Sequence, residues 1–118
     1  MTVNECYTAL GGNYADALGR MGSDRLVQKY MLKFLDDGSF ELLCRSLDAG
    51  EKDEAFRAAH TLKGLCLTLG FTKLADSGSN ITEALRSGDL DGAITLIGSV
   101  REDYERTVTA IRAFAAQL

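Results

Sequence analysis

Proline does not occur anywhere in this chain. Its ring locks φ and removes a backbone donor, which makes it the strongest helix breaker. Without it, long uninterrupted helices are permitted throughout. Cysteine is scarce: Cys6, Cys44 and Cys66 are odd in number, widely spaced and show no CxxC pairing. That excludes a disulfide framework and gives no sign of a zinc site. They read as small buried hydrophobes in a reducing cytoplasm. Positive charge is in the minority, with 13 Lys and Arg against 17 Asp and Glu and a net charge of −4. An acidic balance supplies no electrostatic footprint for nucleic acid or an anionic membrane. No basic region followed by an apolar block opens the chain, so neither a signal peptide nor a membrane span is expected. The expected compartment is cytoplasmic. Histidine is the rarest functional side chain, present once, at His60.

What is present is helical periodicity. The 118 residues carry 46% hydrophobic side chains, enough for one core. Thr2 to Leu10 reads as a short helix capped by Thr2, ended by Gly11-Gly12-Asn13. Tyr14 to Leu18 forms a further short turn of helix before Gly19. Ser23 caps a helix over Asp24 to Leu35, in which Leu26, Val27, Tyr30, Met31, Phe34 and Leu35 recur at helical spacing. Asp37 or Ser39 caps the next, with Phe40, Leu43, Cys44 and Leu47 inward and Gly50 at its end. Glu51 to Leu69 follows and stops at Gly70. Thr72 caps a helix with Leu74, Gly78, Ile81 and Leu85 inside, ended by Gly88. From Asp89, Leu90, Ala93, Ile97, Val100, Tyr104, Val108, Ile111 and Leu118 follow near-heptad spacing over the longest helix. No alternating strand pattern competes. Short connections make neighbouring helices antiparallel. The expected fold is therefore all-α, an up-down-up-down four-helix bundle. It forms one domain over 1–118, with short N-terminal helices in 1–22 and the bundle in 23–118.

The sole histidine sits midway along the helix from Glu51 to Leu69. On the helical wheel Ala55, Ala58, Ala59, Leu62, Leu65, Cys66 and Leu69 make one apolar stripe. His60 lies roughly 140° from the centre of that stripe, so its ring points outward. Lys63 and Gly64 share its side at i+3 and i+4. Glycine inside a helix costs about 1 kcal/mol relative to alanine, so close approach by another body is the candidate reason for Gly64.

Three readings of His60 compete. It can be a surface histidine without a role. It can be a metal ligand, but i±3 and i±4 hold Phe56, Arg57, Lys63 and Gly64, none of them suitable. Or it can be a nucleophile, since imidazole is largely neutral near pH 7. A phosphoryl group on the ring would be offset by Lys63, and Gly64 would leave room for a second active site. Phe56 and Leu67 are either peripheral core or an apolar docking patch around the ring.

The run AHTLKG (residues 59–64), with Leu69-Gly70 downstream, resembles a histidine-containing phosphotransfer (HPt) domain. The likeness extends from about Lys29 to Ala113 and takes in Gly50, Leu74, Ile81 and the long last helix. It implies a monomeric helical bundle that relays phosphoryl groups between aspartates of receiver domains. The family's phosphoacceptor maps onto His60, and its supporting lysine and glycine onto Lys63 and Gly64. Where many members carry Gln or Glu near the phosphohistidine, Thr82 stands here and can offer a hydroxyl. Small residues usually follow the motif glycine; here Leu65-Cys66-Leu67 is bulkier.

The implied partners are response regulator receivers and a hybrid sensor kinase. The chain would need no cofactor of its own, because Mg²⁺ and the aspartate come from the receiver. With no P-loop, ATP lid or carboxylate cluster legible, it would be a carrier and not an enzyme. Two alternatives stand beside this. One is a helical adaptor that binds receivers without phosphotransfer. The other resembles the phosphoaccepting part of chemotaxis kinases, charged by a separate ATP-using kinase.

Overall fold

The computed structural model describes all residues, Met1–Leu118. Its elements are α1 (Val3–Leu10), α2 (Tyr14–Met21), α3 (Asp24–Lys33), a 3₁₀ turn (Phe34–Asp36), α4 (Ser39–Asp48), α5 (Lys52–Leu69), α6 (Thr72–Arg86) and α7 (Leu90–Ala115). There is no strand. No helix is long and apolar enough to cross a membrane.

The caps show why the helices begin where they do. The Thr2 hydroxyl accepts from the Glu5 N–H, and the Glu5 carboxylate accepts from the Thr2 N–H, a reciprocal capping box. Ser23 and Asp89 accept from the N–H groups of Leu26 and Gly92. Two expected caps differ. Thr72 is the first residue of α6 and does not cap it; the N-cap is Phe71, whose ring is buried. At α4 the N-cap is Gly38, and Asp37 instead accepts from the Ser39 N–H at 3.0 Å. α2 also runs through Gly19 to Met21, since one exposed glycine lowers helix stability without ending the helix. The tail of α3 tightens into the 3₁₀ turn and does not continue as α-helix to Leu35.

α4 to α7 run up, down, up and down, each packing on the next, with α4 also touching α7 to close the bundle. Ala55, Ala58, Ala59, Leu62, Cys66 and Leu69 of α5 face Leu74, Ile81 and Leu85 of α6 across one core. Four of those α5 residues are at most 3% exposed alanines or a fully buried leucine, which lets the neighbouring helices approach closely. α7 spans 26 residues and outruns its neighbours. Its projecting end is covered by α1, where the Cys6 thiol donates to the Ala110 carbonyl.

An aromatic cluster closes that end. Phe71 lies against Tyr7 and Phe34, with ring centroids 5.6 and 5.1 Å apart. Phe40 stacks on Tyr104 at 4.3 Å. The Tyr7 hydroxyl donates to the Leu69 carbonyl at 2.7 Å, tying α1 to the last turn of α5. Backbone bonds join the two turns here: Asn13 N–H donates to Gly70 O, and Lys73 N–H to Gly11 O. Gly70 has φ +72°, and a Cβ would sit 2.7 Å from the Asn13 carbonyl oxygen. Only glycine satisfies both conditions. The N-terminal helices are thus anchored to the end of α5 and positioned beside the middle of that helix.

Candidate functional site

His60 is exposed, as its place on the wheel of α5 requires. Its imidazole lies nearly parallel to the Phe56 ring one turn earlier, 13° apart with centroids at 5.8 Å. Phe56 is half-buried against the core, and the Arg86 guanidinium of α6 lies 5.1 Å from its ring centroid. Leu67 is 50% exposed, so of the two readings offered for it, peripheral core is excluded.

Viewed down α5, His60 is a crest with two flanks. Phe56, Lys63 and Arg86 occupy the flank toward α6. Lys63 is half-buried where the two helix backbones come close; a Cβ at Gly78 would stand 3.7 Å from the Lys63 Cα. The five ion pairs of the chain use Arg20, Arg57, Arg86 and Arg106 and leave every lysine free. Lys63 therefore keeps its charge available to an incoming anion.

The other flank opens into a cleft of about 800 Å³. Its α5 side carries His60, Thr61, Gly64, Leu65 and Thr68. Facing it are Met21 of α2, Tyr30 and Lys33 of α3, and Phe34, Asp36 and Asp37. Gly64 lies at the lip between His60 and this cleft. It is exposed, and a Cβ added there would meet nothing within 4 Å. Gly19 and Gly98 are equally unencumbered; what distinguishes Gly64 is its place one turn from the imidazole. The fold itself does not demand glycine at 64.

Two expectations fail at this site. Thr82 offers nothing to a partner: it is fully buried, and its hydroxyl donates to the Gly78 carbonyl at 2.6 Å inside α6. The short β-branched side chain bonds back to its own helix, as buried threonines do. Leu65 is not in the core stripe; it is half-exposed and lines the cleft, because α3 does not close over α5 there. Tyr30 of α3 is 41% exposed, with the Lys29 and Lys33 ammonium groups 5.6 and 5.8 Å from its ring centroid. Tyr30 and Lys33 were not read as site residues. The one local signal was an aromatic set among lysines, Lys29-Tyr30 and Lys33, on a helix with few acids.

The thiols are set apart from this chemistry. Burial raises the Cys6 pKa to about 11 and pushes that of Cys66 higher still. No group of three or more His, Cys, Asp or Glu side chains is placed to hold a metal ion.

A family model for the Hpt domain matches residues 34–113. Among curated proteins, the chemotaxis protein CheA of Bacillus subtilis (strain 168) is 46% identical over 41 residues. That stretch is 32% of this chain and only 6% of the relative. No solved structure matches. The family match spans more than half of the chain, and so the chain belongs to the Hpt family, the histidine phosphotransfer modules of two-component signalling.

Proposed function

We propose that His60 is the phosphoacceptor, taking a phosphoryl group from a phosphoaspartyl receiver and passing it to the receiver of a response regulator. The observation that carries this reading is the exposed imidazole at a lip with no side chain at 64. Nε2, the ring nitrogen farther from the backbone, is the attacking atom in this reading. It attacks phosphorus in line; the N–P bond forms as the P–O bond to the receiver's aspartate breaks, and the carboxylate leaves. The reverse step returns the group to a second aspartate.

Each neighbour has a role in this reading. Lys63 offsets the charge of the bound phosphoryl group. Phe56 limits the rotation of the imidazole, so that less orientational freedom is lost when a receiver arrives. Gly64 and Leu67 form the surface on which the receiver sits. The receiver brings Mg²⁺ and its own carboxylates, and this chain supplies a positioned nucleophile. A hybrid sensor kinase is the expected source of the first receiver.

A second reading draws on the similarity to a chemotaxis protein: His60 would be charged directly by an ATP-using kinase. One experiment tests the relay. The protein is mixed with a ³²P-labelled receiver, in parallel with its His60→Gln variant. Acid-labile, base-stable label on the wild type alone supports the relay. Label that persists on the variant rules out His60.

A further inference from the structure

The cleft beside His60 has a composition that phosphoryl transfer does not call for. Phe34 and Leu69 are buried beneath it, and Met21 and Leu65 are half-exposed at its sides. Its volume of about 800 Å³ lies within the roughly 300–1,000 Å³ of pockets that take small organic molecules. Its charge is unbalanced. Asp36 and Asp37 line it against a single lysine or arginine, Lys33. Asp16, Glu54, Glu83, Glu102 and Asp103 are all held in ion pairs, but neither Asp36 nor Asp37 is. The Lys33 ammonium lies 5.8 Å from the Tyr30 ring centroid and pairs with neither aspartate.

We propose that this cleft binds a small organic cation, with an aromatic or branched aliphatic body on Phe34, Leu65 and Leu69 and an ammonium group at Asp36 and Asp37. Charge complementarity selects this occupant. A cleft with apolar walls and an excess of one sign of charge concentrates ions of the other sign. An anion would meet two carboxylates, and a neutral body would leave them without a counter-charge. Asp37 is half-buried, with one oxygen accepting from the Ser39 N–H at 3.0 Å. Its charge is therefore screened less than that of a carboxylate on the open surface. Burial, and after it the charge of Asp37, raises the pKa of the Cys66 thiol and of the Tyr104 phenol. The field of that carboxylate thus reaches into the interior, where the dielectric is low. The rings of Tyr30 and Phe34 supply faces that attract a cation or carry its apolar body.

The seat shares His60, Thr61 and Gly64 with the approach to the imidazole. A body resting on Leu65 stands beside the open space at Gly64. An occupied cleft and a protein reaching for His60 therefore exclude each other. The concentration of the cation would set the fraction of the chain open to transfer, by mass action. Binding does not depend on the relay reading of His60; only this exclusion rests on it.

The test uses the full chain and three probes that share one ring system: 1-naphthylmethylammonium, 1-naphthylmethanol and 1-naphthoate. Each is titrated in and followed by amide chemical shifts. The ammonium compound should shift the amides of Tyr30, Phe34, Gly64 and Leu65 and bind about tenfold more tightly than the alcohol, with the carboxylate weakest. Asp36→Asn with Asp37→Asn should erase that preference. Asparagine at 37 still accepts from the Ser39 N–H, so the turn is kept. Lys33→Met removes the opposing charge and should tighten the ammonium compound by about threefold. Equal affinity for ammonium and alcohol, shifts confined to another surface, or a preference retained in the double variant overturns the site. At about ten times its dissociation constant, the ammonium compound should slow labelling from a phosphorylated receiver about tenfold in the wild type and leave the double variant unaffected. Undiminished transfer at that occupancy overturns the exclusion and leaves the site standing. Failure of the unliganded wild type to take label overturns the relay, while the titrations still decide the site.

Discussion

The rings of Phe56 and His60 lie 13° from parallel, with centroids 5.8 Å apart and the Arg86 guanidinium at 5.1 Å from the Phe56 centroid. An aromatic contact of this kind stabilises by about 0.5–1.5 kcal/mol. Phe56→Ala should thus leave His60 accessible but free to sample more rotamers. Transfer from a receiver should slow several-fold, and the thermal midpoint should drop modestly because Phe56 is half-buried. Stopped-flow transfer assays alongside a melt would check both effects. An unchanged rate would show that the stack does not orient the imidazole.

Lys63 separates charge from fold. Half-buried and unpaired, it makes no bond whose loss would weaken the bundle by more than about 0.5 kcal/mol. Lys63→Ala should leave the melt almost unchanged while slowing transfer or shortening the lifetime of the phosphohistidine. Measured dephosphorylation of isolated, labelled protein follows this directly. If both proteins lose label at one rate and accept it at one rate, the ammonium has no part in the reaction.

Gly64 should behave in the opposite manner to a structural glycine. The space for a Cβ is open, so Gly64→Leu should stabilise α5 by up to about 1 kcal/mol. The same leucine would stand between His60 and an arriving receiver. Labelling by phosphoramidate should survive, while transfer from receivers should be lost. A variant that is both destabilised and fully active in transfer would contradict this role.

Leu62 and Thr82 are both fully buried on the inner faces of adjacent helices, yet they should respond differently. Leu62→Ala leaves a cavity in the close-packed core and should destabilise by roughly 2–5 kcal/mol. Thr82→Val keeps the shape and removes the hydroxyl bond to Gly78, for a loss of about 0.5–1.5 kcal/mol. Neither should alter the rate of phosphoryl transfer in the folded protein. Denaturant melts and transfer assays on both variants give the comparison.

Much of this was legible in local pattern. Thr2, Ser23 and Asp89 cap helices because a short polar side chain just before an apolar repeat has few other uses. The exposed position of His60 follows from a wheel on which alanine, leucine and cysteine mark the buried side. Thr72 misled because its hydroxyl competes with a ring, Phe71, that tertiary contacts place at the cap. Leu65 misled for a related reason, whereas Thr82 was carried over from the family likeness and its burial was not legible there. Periodicity tells which side of a helix is apolar, but not how far a neighbouring helix covers it. The cleft itself joins α2, α3 and α5, elements separated by tens of residues, and no local spacing encodes that meeting.

The most direct measurement is a phosphorus–proton correlation spectrum of the wild-type protein after charging by a phosphorylated receiver. A phosphorus signal coupled to the ring protons of an Nε2-phosphorylated imidazole is the predicted result, and in a chain with one histidine it can only be His60. A phosphoryl signal with no coupling to imidazole protons, or one retained in His60→Gln, would contradict the account.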